Sequence, residues 1–252
     1  MMKNIDRNSF ATSLEDHVAV VTIKEGVFDL VTNIDESNIM LDFIKETENS
    51  PEVKALLIIN DEGCYSEQDY HDFITKILAP REDCDDKSPP KFAKKDVRFR
   101  EINILNKIIK ALSEYRKLCF SGISGDIVTP FIGASLSMDI RYTTQGTRFV
   151  MAHNKYGLHP SGALPFFLSQ YIHHSRALEI QFREEFDADE ALSLGLINKI
   201  FPEENFRKRC LHEIQHFIKC ESSTINTTKR LTNYTRKALA EYFLYEASLL
   251  NL

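Results

Sequence analysis

Three short runs of β-branched and aliphatic residues, at 17–24, 54–60 and 118–124, constrain this chain more than any other feature. The middle run, Lys54-Ala-Leu-Leu-Ile-Ile-Asn60, has no polar alternation. It suits a strand covered on both faces, which is the habit of parallel sheets. The segments between the runs have apolar residues at helical spacing. Residues 37–49 put Ile39, Met40, Phe43 and Ile44 on one side, with Asp35 or Ser37 available as a cap. Residues 68–78 read as a second helix. Residues 97–115 read as a third, with Phe99, Ile102, Leu105, Ile108, Ile109 and Leu112 on one face. This alternation predicts an α/β domain with parallel strands joined by helical crossovers. Ligands bind such sheets beyond the carboxyl ends of the strands, where turns expose backbone N–H groups. Two turns qualify, at 60–69 and 125–133.

The remaining features mark boundaries and exclusions. Residues 79–95 turn to Pro, Asp and Lys, including Pro80, Pro89 and Pro90, which predicts a mobile loop. Beyond Pro202 the chain reads as helical over 203–220 and 227–252, with Leu231, Leu239, Phe243 and Leu250 as apolar positions. The expected division is therefore a core over 1–202 and a helical region over 203–252. A net charge of −6 argues against a nucleic-acid partner, because phosphate contacts need clustered Lys and Arg. No apolar run approaches the roughly 20 residues of a membrane span, and the first ten residues lack the apolar core of a signal peptide. The five cysteines are widely spaced without a CxxC pair, so neither a disulfide framework nor a metal site is expected. A cytoplasmic location follows as the simplest expectation.

The stretch from Gly125 to Pro202 carries a stronger signal. It contains Gly125-Asp-Ile-Val-Thr-Pro-Phe-Ile-Gly-Ala-Ser-Leu-Ser-Met-Asp-Ile-Arg-Tyr142, then Thr147-Arg-Phe149, Gly157-Leu-His-Pro160, Ala188-Asp-Glu-Ala191 and Leu194-Gly-Leu-Ile-Asn-Lys-Ile-Phe-Pro202. In order and spacing these segments resemble the enoyl-CoA hydratase/isomerase (crotonase) family. The resemblance implies a crotonase-like (ClpP/crotonase) α/β fold, with ββα units repeated in a spiral core. It also implies a C-terminal helical region that covers the site and contributes to trimer contacts. The implied ligand is an acyl-CoA thioester, with coenzyme A entering as part of the substrate and no separate cofactor. The implied assembly is a homotrimer or a dimer of trimers, with a hetero-oligomer containing an active relative as an alternative.

The same resemblance assigns site positions. Thioester chemistry in this family passes through an enolate-like anion held by two backbone N–H donors, each worth about 3 kcal/mol in a dry site. One donor position matches Gln68, within Ser66-Glu-Gln-Asp69. The other matches Pro130, which has no N–H. A proline suits the first turn of a helix, and the free N–H groups of Phe131 and Ile132 become the substitute donors. The two glutamates of the hydratases match Gly133 and His153. Gly133 transfers no proton, whereas His153 has a side chain suited to acid–base work. His153 is the candidate acid/base; a buried histidine bonded to the backbone is the bland alternative, and Asn154 and Tyr156 are weaker candidates. His159 reads as structural, and Ser161 lacks the carboxylate one branch of the family uses. Ser124 reads as a strand-end serine, since the Gly-x-Ser-x-Gly elbow is incomplete. Two functions stay open: altered, non-hydratase chemistry on a CoA thioester (lyase, isomerase or hydrolase), or a non-catalytic acyl-CoA binder or partner subunit.

Overall fold

The computed structural model describes residues 4–80 and 90–249. A hairpin opens the chain, β1 (Phe10–Glu15) and β2 (Val18–Ile23), turned at Asp16 and His17. One helical turn, α1 (Val27–Leu30), and helix α2 (Ile34–Asn49) lead into β3 (Ala55–Asn60). Helices α3 (Glu67–Ile77) and α4 (Lys95–Glu114) precede β4 (Leu118–Ile123). Next come β5 (Ile127–Val128), α5 (Phe131–Leu136), β6 (Ile140–Thr144), β7 (Arg148–Val150) and a 3-10 turn over Ala152–Tyr156. Helices α6 (Leu164–Tyr171) and α7 (His174–Gln181), strand β8 (Glu185–Asp187), helix α8 (Ala188–Ser193) and strand β9 (Lys199–Phe201) follow. Three further helices are α9 (Phe206–Phe217), α10 (Ser222–Thr232) and α11 (Leu239–Leu249).

Six strands form one sheet in the order β1-β2-β3-β4-β6-β9, antiparallel only at β1–β2. Strands β5, β7 and β8 form a smaller second sheet. All six residues of β3 are buried, as its continuous apolar run requires. Successive side chains on a strand point to opposite faces. Leu56 and Ile58 therefore enter the larger core with residues of α2 and α4. Ala55, Leu57 and Ile59 enter a second core with Phe120, Tyr142 and the apolar face of α9, which is Phe206, Cys210 and Ile214. Fully burying each large side chain contributes about 1.5–3 kcal/mol. The sheet is thus fixed from both sides.

Several local expectations are corrected. The cap of α2 is Asn33, whose Oδ1 accepts the N–H groups of Asp35 (3.0 Å) and Glu36 (3.2 Å), rather than Asp35 or Ser37. Phe99 is 58% exposed, because the aliphatic residues of α4 set a phase that turns Arg98 and Glu101 inward instead. The expected helix over 227–252 is broken: α10 and α11 are separated by a 3-10 turn over Asn233–Ala238. Leu231 is exposed, while Leu239 is buried. Most of the loop expected over 79–95, residues 81–89, lies outside the described residues. Its two ends meet where Leu78 pairs with Phe92. Among the described residues no helix is long and apolar enough to cross a membrane.

Candidate active site at two helix N-termini

Parallel strands β3 and β4 end side by side, and Asn60 clasps the two ends. Its Nδ2 donates to the Ser124 carbonyl at 2.9 Å, and its Oδ1 accepts the Ser124 N–H at 3.0 Å. Beyond the clasp, Tyr65 pairs with Ile127 in an isolated parallel bridge. That bridge holds the start of α3 beside the segment leading into α5. Ser66 caps α3, its Oγ accepting the Asp69 N–H at 3.1 Å and donating to Asp69 Oδ2 at 2.7 Å. Gln68 is the second residue of α3, where a backbone N–H has no acceptor within the helix. Its side chain is exposed and donates to Asp72 Oδ1 at 2.9 Å, so it is engaged along the helix surface.

Pro130 is the N-cap of α5, one position ahead of the first helical turn expected for it. Phe131 and Ile132 are the first two helical residues, both buried, and their N–H groups also lack helical acceptors. The Phe131 ring occupies the space between α1, α3 and α5. Its centroid lies 5.0 Å from that of Tyr65 and 5.2 Å from that of Phe28, which stacks on Phe73 at 4.7 Å. Next to this aromatic group is an apolar cavity of about 50 Å³, lined by residues including Leu30, Ile58, Leu105, Ile123 and Met138.

Gly133 lies against a second stretch of backbone. A Cβ there would be 2.0 Å from the Gly162 oxygen and 2.9 Å from the Leu164 nitrogen, so no side chain fits. Gly162 has φ +73°, and a Cβ on it would meet the Pro130 oxygen at 2.5 Å. This close approach requires glycine on both sides.

His153 sits in the 3-10 turn, 2% exposed, with Nδ1 3.0 Å from the Thr129 hydroxyl instead of the backbone partner expected for a buried histidine. Burial, aided by the positive charges of His159 and Arg98, pushes its ring down to about 4. It is therefore neutral at pH 7. Asn154 Nδ2 donates to the carbonyls of Gln181 and Arg183, and the Tyr156 hydroxyl bonds His71 Nδ1 at 2.6 Å. Both weaker candidates thus hold structural bonds.

Sequence reasoning missed three charged residues nearby. Arg98 Nη1 donates to Glu101 Oε2 at 2.6 Å, and both side chains are buried. Glu246 on α11 is also buried, and its Oε1 accepts the Ala163 N–H at 3.2 Å. Burial pushes the Glu246 carboxyl up to about 7, against the Ala163 N–H and Arg98, with Glu101 adding to the rise. The periodicity of α4 contained the signal for two of these, because Arg98 and Glu101 lie one helical turn, four residues, before Ile102 and Leu105 respectively. Nothing local marked Glu246.

His153 and Glu246 act oppositely on stability. His153 is depressed from 6.5 to about 4, so its contribution is complete above 6.5 and lost as pH falls toward 4. Glu246 is raised from 4.5 to about 7, so its contribution is complete below 4.5 and lost as pH rises through 7. Each is worth roughly 3 kcal/mol at its limit. Their slopes oppose between 4.5 and 6.5. Glu246→Gln is therefore expected to make stability rise more steeply with pH over that window, measured by urea unfolding at several pH values. An unchanged slope would contradict the burial of Glu246.

A sequence model of the enoyl-CoA hydratase/isomerase family matches residues 102–251. The chain belongs to this family. Among curated relatives, a 4-chlorobenzoyl coenzyme A dehalogenase of Arthrobacter sp is 28% identical over 103 residues, covering 40% of this chain and 37% of the relative. A probable peroxisomal enoyl-CoA hydratase of Arabidopsis thaliana is 27% identical over 123 residues, covering 48% of this chain and 46% of the relative. The chain thus matches less than half the length of either. The fold is similar to that of an enoyl-CoA hydratase from Bacillus halodurans, with TM-score 0.78, 16% identity, and 96% and 94% of the two chains covered. It is also similar to HypX from Aquifex aeolicus, with TM-score 0.76 and 17% identity, covering all of this chain and 44% of that one. In this member of the family, Gln68, Pro130, Phe131 and Ile132 belong to the two adjoining helix starts. His153 joins them through Thr129, and Gly133 faces Gly162.

Proposed function

We propose that this protein binds an acyl-CoA thioester with its carbonyl oxygen at the backbone N–H of Gln68 and that of Phe131 or Ile132, and that its chemistry is not hydration. The observation that carries this reading is the pair of adjoining helix starts, whose N–H groups have no helical acceptors. Against hydration stand two facts about proton carriers. Position 133 has no room for a side chain, and His153 is a neutral, weakly basic ring at pH 7. A second reading, a non-catalytic acyl-CoA binder or partner subunit, is favoured by the Phe131 ring, which occupies the space between the two helix starts and α1.

Calorimetric titration with CoA, acetyl-CoA, acetoacetyl-CoA and crotonyl-CoA tests both readings. Affinity is expected to increase when the thioester is present. A ligand at about 100 times its Kd should stabilise the fold by about 2.7 kcal/mol in a thermal shift. Binding by none of the four sinks the thioester reading and leaves the partner subunit alone standing. We further propose that residues 203–252 support a homotrimer or a dimer of trimers. Exposed Leu231, Tyr234, Leu244 and Tyr245 supply apolar surface there for contact with other copies or with a related subunit.

A further inference from the structure

Resting on the thioester reading above, we propose that Glu246, carried on the C-terminal helix α11, is the group that moves a proton at the thioester α-carbon in this site. The carboxylate lost from α5 is then replaced by one that arrives from another element. Gly133 has no side chain, and the Gly162 backbone fills the space where one would start. The next residue, Ala163, has φ +55° and donates its N–H to Glu246 Oε1 at 3.2 Å. Glu246 is therefore bonded one residue away from the Gly162 backbone that touches Pro130 and Gly133, the two residues that flank Phe131 and Ile132 in sequence. A non-glycine residue held at positive φ marks a backbone overdetermined by its surroundings, a common property of sites.

The second oxygen is the functional one. Glu246 Oε2 is buried without a hydrogen-bond partner among the described residues, and Glu246 is only 5% exposed. Glu101 Oε1 and Arg98 Nε, on α4 packed against α11, are also unpartnered among those residues. A buried polar atom left without a partner is costly, and one with a role in proton transfer has a reason to persist. The charged and titratable groups around Glu246 are Arg98 and Glu101 from α4 and Tyr242 on its own helix. With its carboxyl raised by burial to about 7, Glu246 suits a group that both takes and returns a proton. In the step itself, Glu246 Oε2 takes the α-proton. The C–H bond breaks, an O–H bond forms, and the electron pair moves into the thioester carbonyl to give an enolate held by the N–H donors. Return of the proton restores the thioester, and no other reactant is needed.

The test is deuterium incorporation at the α-carbon of acetyl-CoA and butyryl-CoA in D₂O, read by mass spectrometry, with calorimetric binding measured in parallel. Wild type is expected to exchange, with a rate that rises with pH and levels off above about 7. Glu246→Gln keeps the shape and should lower the exchange at least about 100-fold while changing the Kd only a few-fold. Glu246→Asp keeps the acid and should recover part of the rate, which a purely structural role would not produce. Exchange by Glu246→Gln at the wild-type rate overturns the proposal, and so does thioester binding by wild type without exchange. If no thioester binds wild type, the proposed function falls together with this assignment.

Discussion

Gly133→Glu, the substitution that puts a carboxylate where the family resemblance implies one, is expected to destabilise the fold by at least about 3 kcal/mol and to confer no hydratase activity. The clash begins at Cβ, 2.0 Å from a backbone oxygen that no rotamer change can move. Gly133→Ala should therefore show most of the same loss, so the charge of glutamate is not the cause. The neighbouring backbone is equally constrained: Gly162 has positive φ and is pressed against Pro130. Relief would require moving the turn that starts α6 and carries the Ala163 N–H bonded to Glu246. Urea unfolding of both variants and a crotonyl-CoA hydration assay check the expectation. A variant with wild-type stability that hydrates crotonyl-CoA would show that position 133 can be refilled.

Arg98→Leu is expected to cost about 3–5 kcal/mol, because it leaves Glu101 buried without its counter-charge. The pair is 2.6 Å apart, at 2% and 0% side-chain exposure. Replacing both residues, Arg98→Leu with Glu101→Leu, should recover most of the loss, since the isolated charge and its desolvation disappear together. The pH dependence has a definite sign. Burial already raises the Glu101 carboxyl, and removing Arg98 raises it further. The folded variant therefore binds a proton more readily than its unfolded state, and its deficit should shrink as pH is lowered toward the ordinary carboxyl range. A double-mutant cycle by chemical denaturation at two pH values measures both effects. A deficit for Arg98→Leu below about 1 kcal/mol would mean that Glu101 is not held in a dry environment.

The sheet was largely legible because its signals are local. Strands β2, β3 and β4 lie within one residue of the apolar runs that predicted them, since a strand buried on both faces needs nothing but consecutive apolar residues. The phase of α4 was less legible at its start. Counting Phe99 as inward follows polarity, whereas the helix follows the geometry set by Ile102, Leu105 and Ile109. The break between α10 and α11 escaped for a related reason: local spacing does not say how far a C-terminal segment can run before packing turns it.

At the site, covalent chemistry was readable from residue types alone. Pro130 has no N–H whatever the fold around it, and glycine at 133 carries no acid. Those two facts, with the apolar runs, are what the sequence by itself determined. Only the tertiary structure decided the rest: the Phe131 ring set between Phe28 and Tyr65, His153 turned to Thr129, and Gly162 pressed into the space beside Gly133. It also brought Glu246 to Ala163 across 83 positions of sequence. Such contacts depend on the relative placement of elements packed into one core, and neither periodicity nor residue type encodes that placement.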